Sequence, residues 1–111
     1  MNKEFNCPVE ATISLIGGKY KSVILFHLMG KTLRYSELHK KIPKSTDKML
    51  AQQLRELEKD GLIKRTVYPV VPPKTEYNLT EFGESLSPIL NAMCNWGESY
   101  LNIPSQCVEE S

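Results

Sequence analysis

The pattern of apolar residues along the chain predicts helices over most of its length and strands in three short segments. Spacings of three and four residues place apolar side chains on one helix face, whereas β-branched and aromatic runs favour strands. Helices are predicted over residues 7–16, 19–29, 35–42, 45–60 and 81–100. Strands are predicted over residues 32–34, 62–68 and 75–79.

Glycines and prolines mark the ends of these segments. Pro8 suits the first turn of a helix, where its missing N–H is not needed. Pro43 stops the third helix shortly before Ser45, the predicted N-cap of the fourth, and Gly61 ends that helix after Asp60. Prolines at positions 69, 72 and 73 cannot donate to a sheet ladder, so they predict the tip of a hairpin between the last two strands.

The order of the predicted elements, α-α-(β)-α-α-β-β-α, indicates a mainly α fold with a small β-hairpin, an α+β arrangement. Two helices joined by a short turn and followed by a hairpin are typical of a winged helix-turn-helix. With 111 residues and no interdomain linker, residues 1–111 are expected to form one domain.

The fourth predicted helix has an apolar and a basic face. At about 100° per residue, Leu50, Leu54 and Leu57 fall on one side. The opposite side carries long hydrogen-bond donors, namely Lys48, Gln52, Arg55 and Lys59. Such donors reach phosphates and base edges, although on an isolated helix they more commonly face solvent. The hairpin, or wing, that follows adds cations suited to a phosphate backbone or a minor groove.

Charge is strongly segregated along the chain. Between positions 19 and 74 there are 13 Lys and Arg against 5 Asp and Glu, whereas the remaining segments carry 1 against 8, although the net charge is only +1. A basic middle segment indicates a polyanion-binding surface. The predicted DNA-binding residues are Lys44, Ser45, Thr46, Lys48, Gln52, Arg55, Lys64 and Lys74.

The last predicted helix carries an apolar stripe longer than a small trihelical core requires. Its members are Phe82, Leu86, Ile89, Leu90, Met93, Trp96 and Tyr100. The stripe either packs on the domain's own core or forms a dimer interface with the first helix, and the dimer is the favoured interpretation. The predicted interface residues are Val9, Ile13, Leu86, Leu90, Met93, Trp96 and Tyr100. A two-fold dimer would place two reading helices on a palindromic double-stranded operator.

Cys7 is the one residue with candidate chemistry, because free N–H groups at a helix N-terminus stabilise a thiolate. It is a candidate redox sensor, with Cys94 or Cys107 as resolving partner, or else a passive cap. Three cysteines, an odd number, favour free thiols. No signal peptide, membrane span, metal motif or nucleophile–base pair is recognisable, so we expect a cytoplasmic, non-enzymatic protein with no cofactor, no metal and no membrane partner.

Four segments resemble the HxlR-type transcriptional regulators, winged-helix proteins related to the MarR type. They are CPVEATISLIGGKYK at 7–21, LRYSEL at 33–38, KMLAQQLRELEKDGLIKRTVYPVVPPKTEYNLTEFG at 48–83 and MCNWGE at 93–98. The resemblance implies a DNA-binding core over 19–79 and a homodimer built from helices over 7–16 and 81–101. It also implies that Cys7 lies near the dimer interface, where some members sense quinones, aldehydes or hypochlorite. Tyr20 stands where tryptophan is common in the family.

The function predicted from these features is a dimeric, sequence-specific DNA-binding transcriptional regulator that responds to a small-molecule or electrophile effector through Cys7. The rival hypothesis is a winged-helix module that binds another protein and not DNA. A protein interface would favour apolar or aromatic exposure on the reading face, so the basic middle segment argues against the rival.

Overall fold

The computed structural model describes residues 5–103, and within that range the elements follow the predicted order. Helices α1 to α6 span Pro8–Ile16, Lys21–Leu28, Tyr35–Lys41, Asp47–Lys59, Glu81–Glu84 and Ser87–Leu101. Strands β1 to β3 span Leu33–Arg34, Ile63–Tyr68 and Lys74–Leu79. The predicted fold class, mainly α with a small β-hairpin, is confirmed.

The three strands form one antiparallel sheet in the order β1-β3-β2. Strands β2 and β3 make the hairpin, with Ile63 opposite Leu79 and Arg65 opposite Tyr77. Directly opposed residues share a face of the sheet. Because Ile63, Tyr77 and Leu79 are buried, this face is turned toward the core, and Lys64 lies on the other face.

Leucines and isoleucines of α2, α3, α4 and α6 form the centre of the core. The side chains that are almost completely buried are Ile24, Leu25, Leu28, Leu38, Leu50, Leu54, Leu57, Leu62 and Leu90. The apolar face predicted for the fourth helix is therefore confirmed, since its three leucines are 0–1% exposed. Burying a leucine contributes roughly 1.5–3 kcal/mol, so this face fixes α4 firmly on the domain.

The N-cap of α4 is Thr46, and the prediction of Ser45 is wrong by one residue. Thr46 Oγ1 accepts a hydrogen bond from the Met49 N–H at 3.1 Å. Ser45 is buried, and its hydroxyl instead donates to the carbonyl of Ile42 at 2.8 Å. Both residue types cap helices well, so the sequence alone did not distinguish them.

The C-terminus of α4 has the hydrogen bonds of a Schellman motif. Gly61 has a φ of 80°, its N–H donates to Glu58, and the Leu62 N–H donates to the carbonyl of Leu57. The buried side chains of Leu57 and Leu62 complete the motif. This turn leads the chain directly from α4 into the β2–β3 hairpin.

The single final helix predicted over 81–100 is divided in two. Helix α5 ends at Glu84, and α6 begins at Ser87 with Pro88 in its first turn. Pro88 has no N–H to continue the hydrogen-bond ladder back to Glu84, so the chain turns at Ser85 and Leu86. The apolar stripe predicted for one helix is therefore shared between α5, the two residues of the turn and α6.

Candidate nucleic-acid interface

Helix α4 presents the predicted donor face to solvent. Lys48, Gln52, Arg55 and Lys59 are all exposed. The opposite face of α4 is packed in the core through the three buried leucines described above. Ser45, a predicted DNA contact, is 4% exposed and its hydroxyl is already bonded. Ser45 is therefore a structural residue of the turn, and its assignment to the DNA-binding set is corrected.

A polar contact joins α3 to the start of α4. The Tyr35 hydroxyl donates to Asp47 Oδ1 at 2.9 Å, and the ring of Tyr35 stacks on that of His39. Burial and then this hydrogen bond raise the pKa of Tyr35 to about 12. The contact fixes the angle of the helix-turn-helix next to Thr46, which is exposed, as is Lys44 in the turn.

The side of α4 facing the α1–α2 turn carries an ion pair. Lys21 Nζ lies 2.7 Å from Glu56 Oε1, and Glu56 Oε2 accepts a hydrogen bond from Gln52 Nε2 at 3.2 Å. These two donors hold the pKa of Glu56 below its usual value, with the Lys21 bond as the larger cause. One turn away, Gln53 Oε1 accepts from the Tyr20 N–H at 3.0 Å. The start of α2 is thus attached to α4 through Tyr20 and Lys21.

The wing places its cations on different faces of the sheet. Arg65 lies on the core-facing side, where it lines a cleft with Arg55 and Glu58 of α4 around the ring of Tyr77. Burial raises the pKa of Tyr77, and the nearby Arg65 opposes that rise. Lys64, the residue predicted from the sequence, is exposed on the opposite face. Arg65 belongs to the cations of the wing, but the sequence-based set of DNA contacts contains Lys64 and not Arg65, although the two-residue spacing of Arg65 from the apolar Ile63 gave the signal.

Lys74, also predicted as a DNA contact, folds back on the hairpin. Its Nζ lies 3.8 Å from Glu76 Oε2 and 4.9 Å from the centroid of the Tyr68 ring. Part of its charge is therefore balanced within the wing. Val71 at the hairpin tip is 99% exposed, so the tip itself presents an apolar side chain between the prolines.

The terminal helices expose an apolar surface, defined here by α1 residues Val9 and Ile13 and α6 residues Met93, Trp96 and Tyr100. Their side chains are 47–74% exposed, and Trp96 stacks on Tyr100 with ring centroids 5.5 Å apart. Leu86 and Leu90, also predicted as interface residues, are 9% and 2% exposed. These two pack in the domain's own core. Leu90 lies about 60° around α6 from Met93 and about 120° from Trp96, on the side turned toward the core, so the interface assignment of Leu86 and Leu90 is corrected.

Cys7 is the N-cap residue of α1, as predicted, and its thiol makes no capping hydrogen bond. Of the two cysteines in the described part of the chain, Cys7 is the free one, and it is exposed. Cys94 lies on α6 and lines a small apolar groove against α2. Cys107 lies outside the described residues.

Within residues 5–103, no cluster of three or more His, Cys, Asp or Glu side chains is arranged to hold a metal ion. Over the same range, no helix is both long enough and apolar enough to cross a membrane.

Comparison with known proteins gives consistent matches. A family model described as HxlR-like helix-turn-helix matches residues 15–105. The HTH-type transcriptional regulator YtcD of Bacillus subtilis is 55% identical over 100 residues, which cover 90% of this chain and 79% of YtcD. The redox regulator HypR superposes with a TM-score of 0.82 in its reduced form, at 48% identity over 86% of this chain and 95% of HypR. Its oxidized form gives a TM-score of 0.80 at 50% identity, covering 84% and 96%.

Proposed function

Because this chain belongs to the HxlR-like helix-turn-helix family, a family of transcriptional regulators, we propose that it binds operator DNA as a homodimer and controls transcription of a nearby gene. Each protomer would contribute one α4 helix to the DNA, and the two helices would read the halves of a palindromic site. Binding would respond to the state of the Cys7 thiol.

The exposed donor face of α4 is the observation that carries the proposal. A helix with its side chains is about 10–12 Å across, which matches the roughly 12 Å width of the major groove. Lys48 lies in the first turn, where backbone N–H groups favour phosphate oxygens. Gln52 and Arg55 lie one and two turns further on, with side chains that pair with adenine and guanine edges respectively.

The wing supports the same surface. Arg65 and Arg55 line the same cleft, so the sheet adds a second guanidinium on the α4 side of the wing. Guanidinium groups bind phosphate oxygens in a bidentate manner. We therefore add Arg65 to the residues expected to contact DNA, with Lys64 and Lys74 as contacts from the opposite face of the wing.

Fluorescence anisotropy with the DNA upstream of the protein's own gene tests DNA binding. We expect the association constant to fall steeply between two salt concentrations, with a logarithmic slope of about −0.9 for each phosphate contacted. Lys48→Ala should make this slope less steep by about one, because one phosphate contact is lost. Gln52→Ala and Arg55→Ala should instead reduce the preference for the operator sequence over other sequences. Lys31→Ala, which removes an exposed lysine outside the interface, is the control. Absence of salt-dependent binding, or equal binding by all variants, would overturn the proposal.

The proposed homodimer is supported by the apolar surface on α1 and α6. Large apolar side chains exposed on two helices favour an interface, because apolar surface that adjoins on a soluble protein commonly marks one. In a two-fold dimer the same patch meets its own copy, which would hold the reading helices about one DNA turn apart.

The proposed thiol response is supported by the position of Cys7. Its exposed thiol lies two residues before Val9, at the edge of the apolar surface, so an adduct or an oxidised sulfur there would alter the contact between protomers. The test measures operator affinity before and after treatment with diamide or a quinone. Wild type should lose affinity and Cys7→Ser should not. An equal loss in both proteins would refute the sensor role and leave the DNA-binding proposal intact.

A further inference from the structure

Lys21 occupies an unusual position for a lysine. It is the first residue of α2, and it is only 8% exposed although it is charged. Buried lysines require a partner, because removing an ammonium group from water is unfavourable. The partner is Glu56, whose Oε1 lies 2.7 Å from Lys21 Nζ. This pair joins the α1–α2 turn to the middle of the reading helix.

The second oxygen of Glu56 is bonded to a residue of the donor face. Gln52 lies one turn before Glu56 on α4, and its Nε2 donates to Glu56 Oε2 at 3.2 Å. A carboxylate only accepts hydrogen bonds, so the amide nitrogen of Gln52 must be the side that faces Glu56. The amide oxygen of Gln52 is then directed away from Glu56.

We propose that Lys21 is a positioning residue that, through Glu56, fixes the amide orientation of Gln52 and so determines the base that Gln52 reads. This inference rests on the proposed function. With Lys21 on Oε1, the carboxylate of Glu56 is held in place, and its Oε2 remains directed at Gln52.

The chemistry of the base edges indicates which bases this orientation favours. An outward amide oxygen needs a donor, and in the major groove adenine offers N6–H and cytosine offers N4–H. Guanine presents only acceptors there, and thymine presents an acceptor and a methyl group. A Gln52 held by Glu56 therefore prefers adenine or cytosine, whereas a freely rotating Gln52 can also turn its amide nitrogen toward guanine or thymine.

The experiment measures binding to a set of operators in which each base pair of one half-site is changed in turn. Gln52→Ala identifies the base pair that Gln52 reads. Lys21→Met then removes the cation, and Lys21→Arg restores a cation at the same position. Lys19→Met is the matched control, because it removes a lysine from the same turn that forms no ion pair with Glu56. The double variant Lys21→Met/Glu56→Met removes both charges together, so it leaves no unpaired buried charge if Lys21→Met alone fails to fold.

We expect wild type to discriminate at the Gln52-dependent base pair by roughly 5- to 100-fold, as for one good base contact. Lys21→Met, or the double variant, should reduce this ratio to within about threefold of that of Gln52→Ala while the other positions keep their ratios. Lys21→Arg and Lys19→Met should keep it. A uniform loss of affinity for all operators, or an unchanged discrimination ratio in Lys21→Met, would overturn the inference. A lysine with a merely structural role would not alter the discrimination at one base pair alone.

The failure of this inference is distinguishable from the failure of the proposed function. If wild type bound the operator with a Gln52-dependent base preference that was insensitive to Lys21, only the positioning role would be refuted. If wild type showed no salt-dependent binding to its upstream DNA, the proposed function would fail, and the positioning role with it. If Gln52→Ala changed no base preference, the positioning role would also be refuted.

Discussion

Replacing Trp96 by serine should dissociate the proposed dimer without unfolding the protomer. Trp96 is 69% exposed in the protomer, so its removal leaves no cavity in the core. A tryptophan side chain presents roughly 150–250 Å², and about 100–170 Å² of Trp96 therefore faces solvent. Covering that area at about 25 cal/mol per Å² contributes about 2.5–4 kcal/mol.

The effect on the dimer is larger because a two-fold interface contains each residue twice. Even with incomplete covering of the indole, the dimer Kd should rise by at least about a thousandfold, which corresponds to roughly 4 kcal/mol. Analytical ultracentrifugation over a range of protein concentrations measures this Kd directly. Val71→Ser is the control, since it removes an apolar side chain that is 99% exposed on the wing.

Wild-type and Trp96→Ser proteins with the same dimer Kd would refute this reasoning. A monomeric wild type at all concentrations would refute the proposed dimer itself. Loss of dimerisation should also weaken operator binding, because two linked reading helices bind one palindrome far better than one does.

Three further predictions concern the parts that hold the reading helix and the wing. Gly83→Ala should lower the free energy of unfolding by about 1–3 kcal/mol in urea titrations, because the added methyl group would collide with the carbonyl oxygen of Leu62; an unchanged midpoint would contradict this. Thr46→Ala should cost about 1 kcal/mol through loss of the cap, and Thr46→Ser should cost much less; equal losses would argue against capping. The raised pKa of Tyr35, about 12 against the ordinary 10.0, means that the folded state binds this proton more tightly than the unfolded chain. The free energy of unfolding should therefore fall as the pH rises from about 10 through 12. Tyr35→Phe should abolish this fall, and it should also remove the phenolate absorbance change that occurs at the highest pH. If that absorbance change were the same in Tyr35→Phe, it would belong to another tyrosine.

The reading face of α4 was predictable because it depends on one local pattern. The spacing of Leu50, Leu54 and Leu57 fixes which side is buried, and Lys48 and Arg55 must then be exposed. The same kind of local pattern located the wing. Side chains alternate between the two faces of a strand. Because Ile63 is buried, this alternation places Arg65, and not Lys64, on the side of the wing that faces α4, and the sequence contained that information.

Other features depend on how distant segments meet. Lys21 and Glu56 are 35 positions apart, and only the packing of α2 against α4 brings Nζ to 2.7 Å from the carboxylate. Leu86 and Leu90 fit an outward stripe as well as an inward one by spacing alone. Tertiary packing decides between the two, because α6 lies against α2 and the side that carries Leu90 is buried there.

The direction of α6, which starts after the break that follows α5, sets the geometry of the proposed dimer. Helix α6 has 15 residues, so it is a lever about 22 Å long, and its far end moves by about 0.4 Å for each degree of tilt. One base-pair step along DNA is about 3.4 Å, which a tilt of about 9° would match. Each base-pair step also turns the groove by about 35°, so a tilt of α6 alone would match the distance of a new half-site spacing but not its rotation. A change of operator spacing would therefore also require a change in the contact between the two protomers.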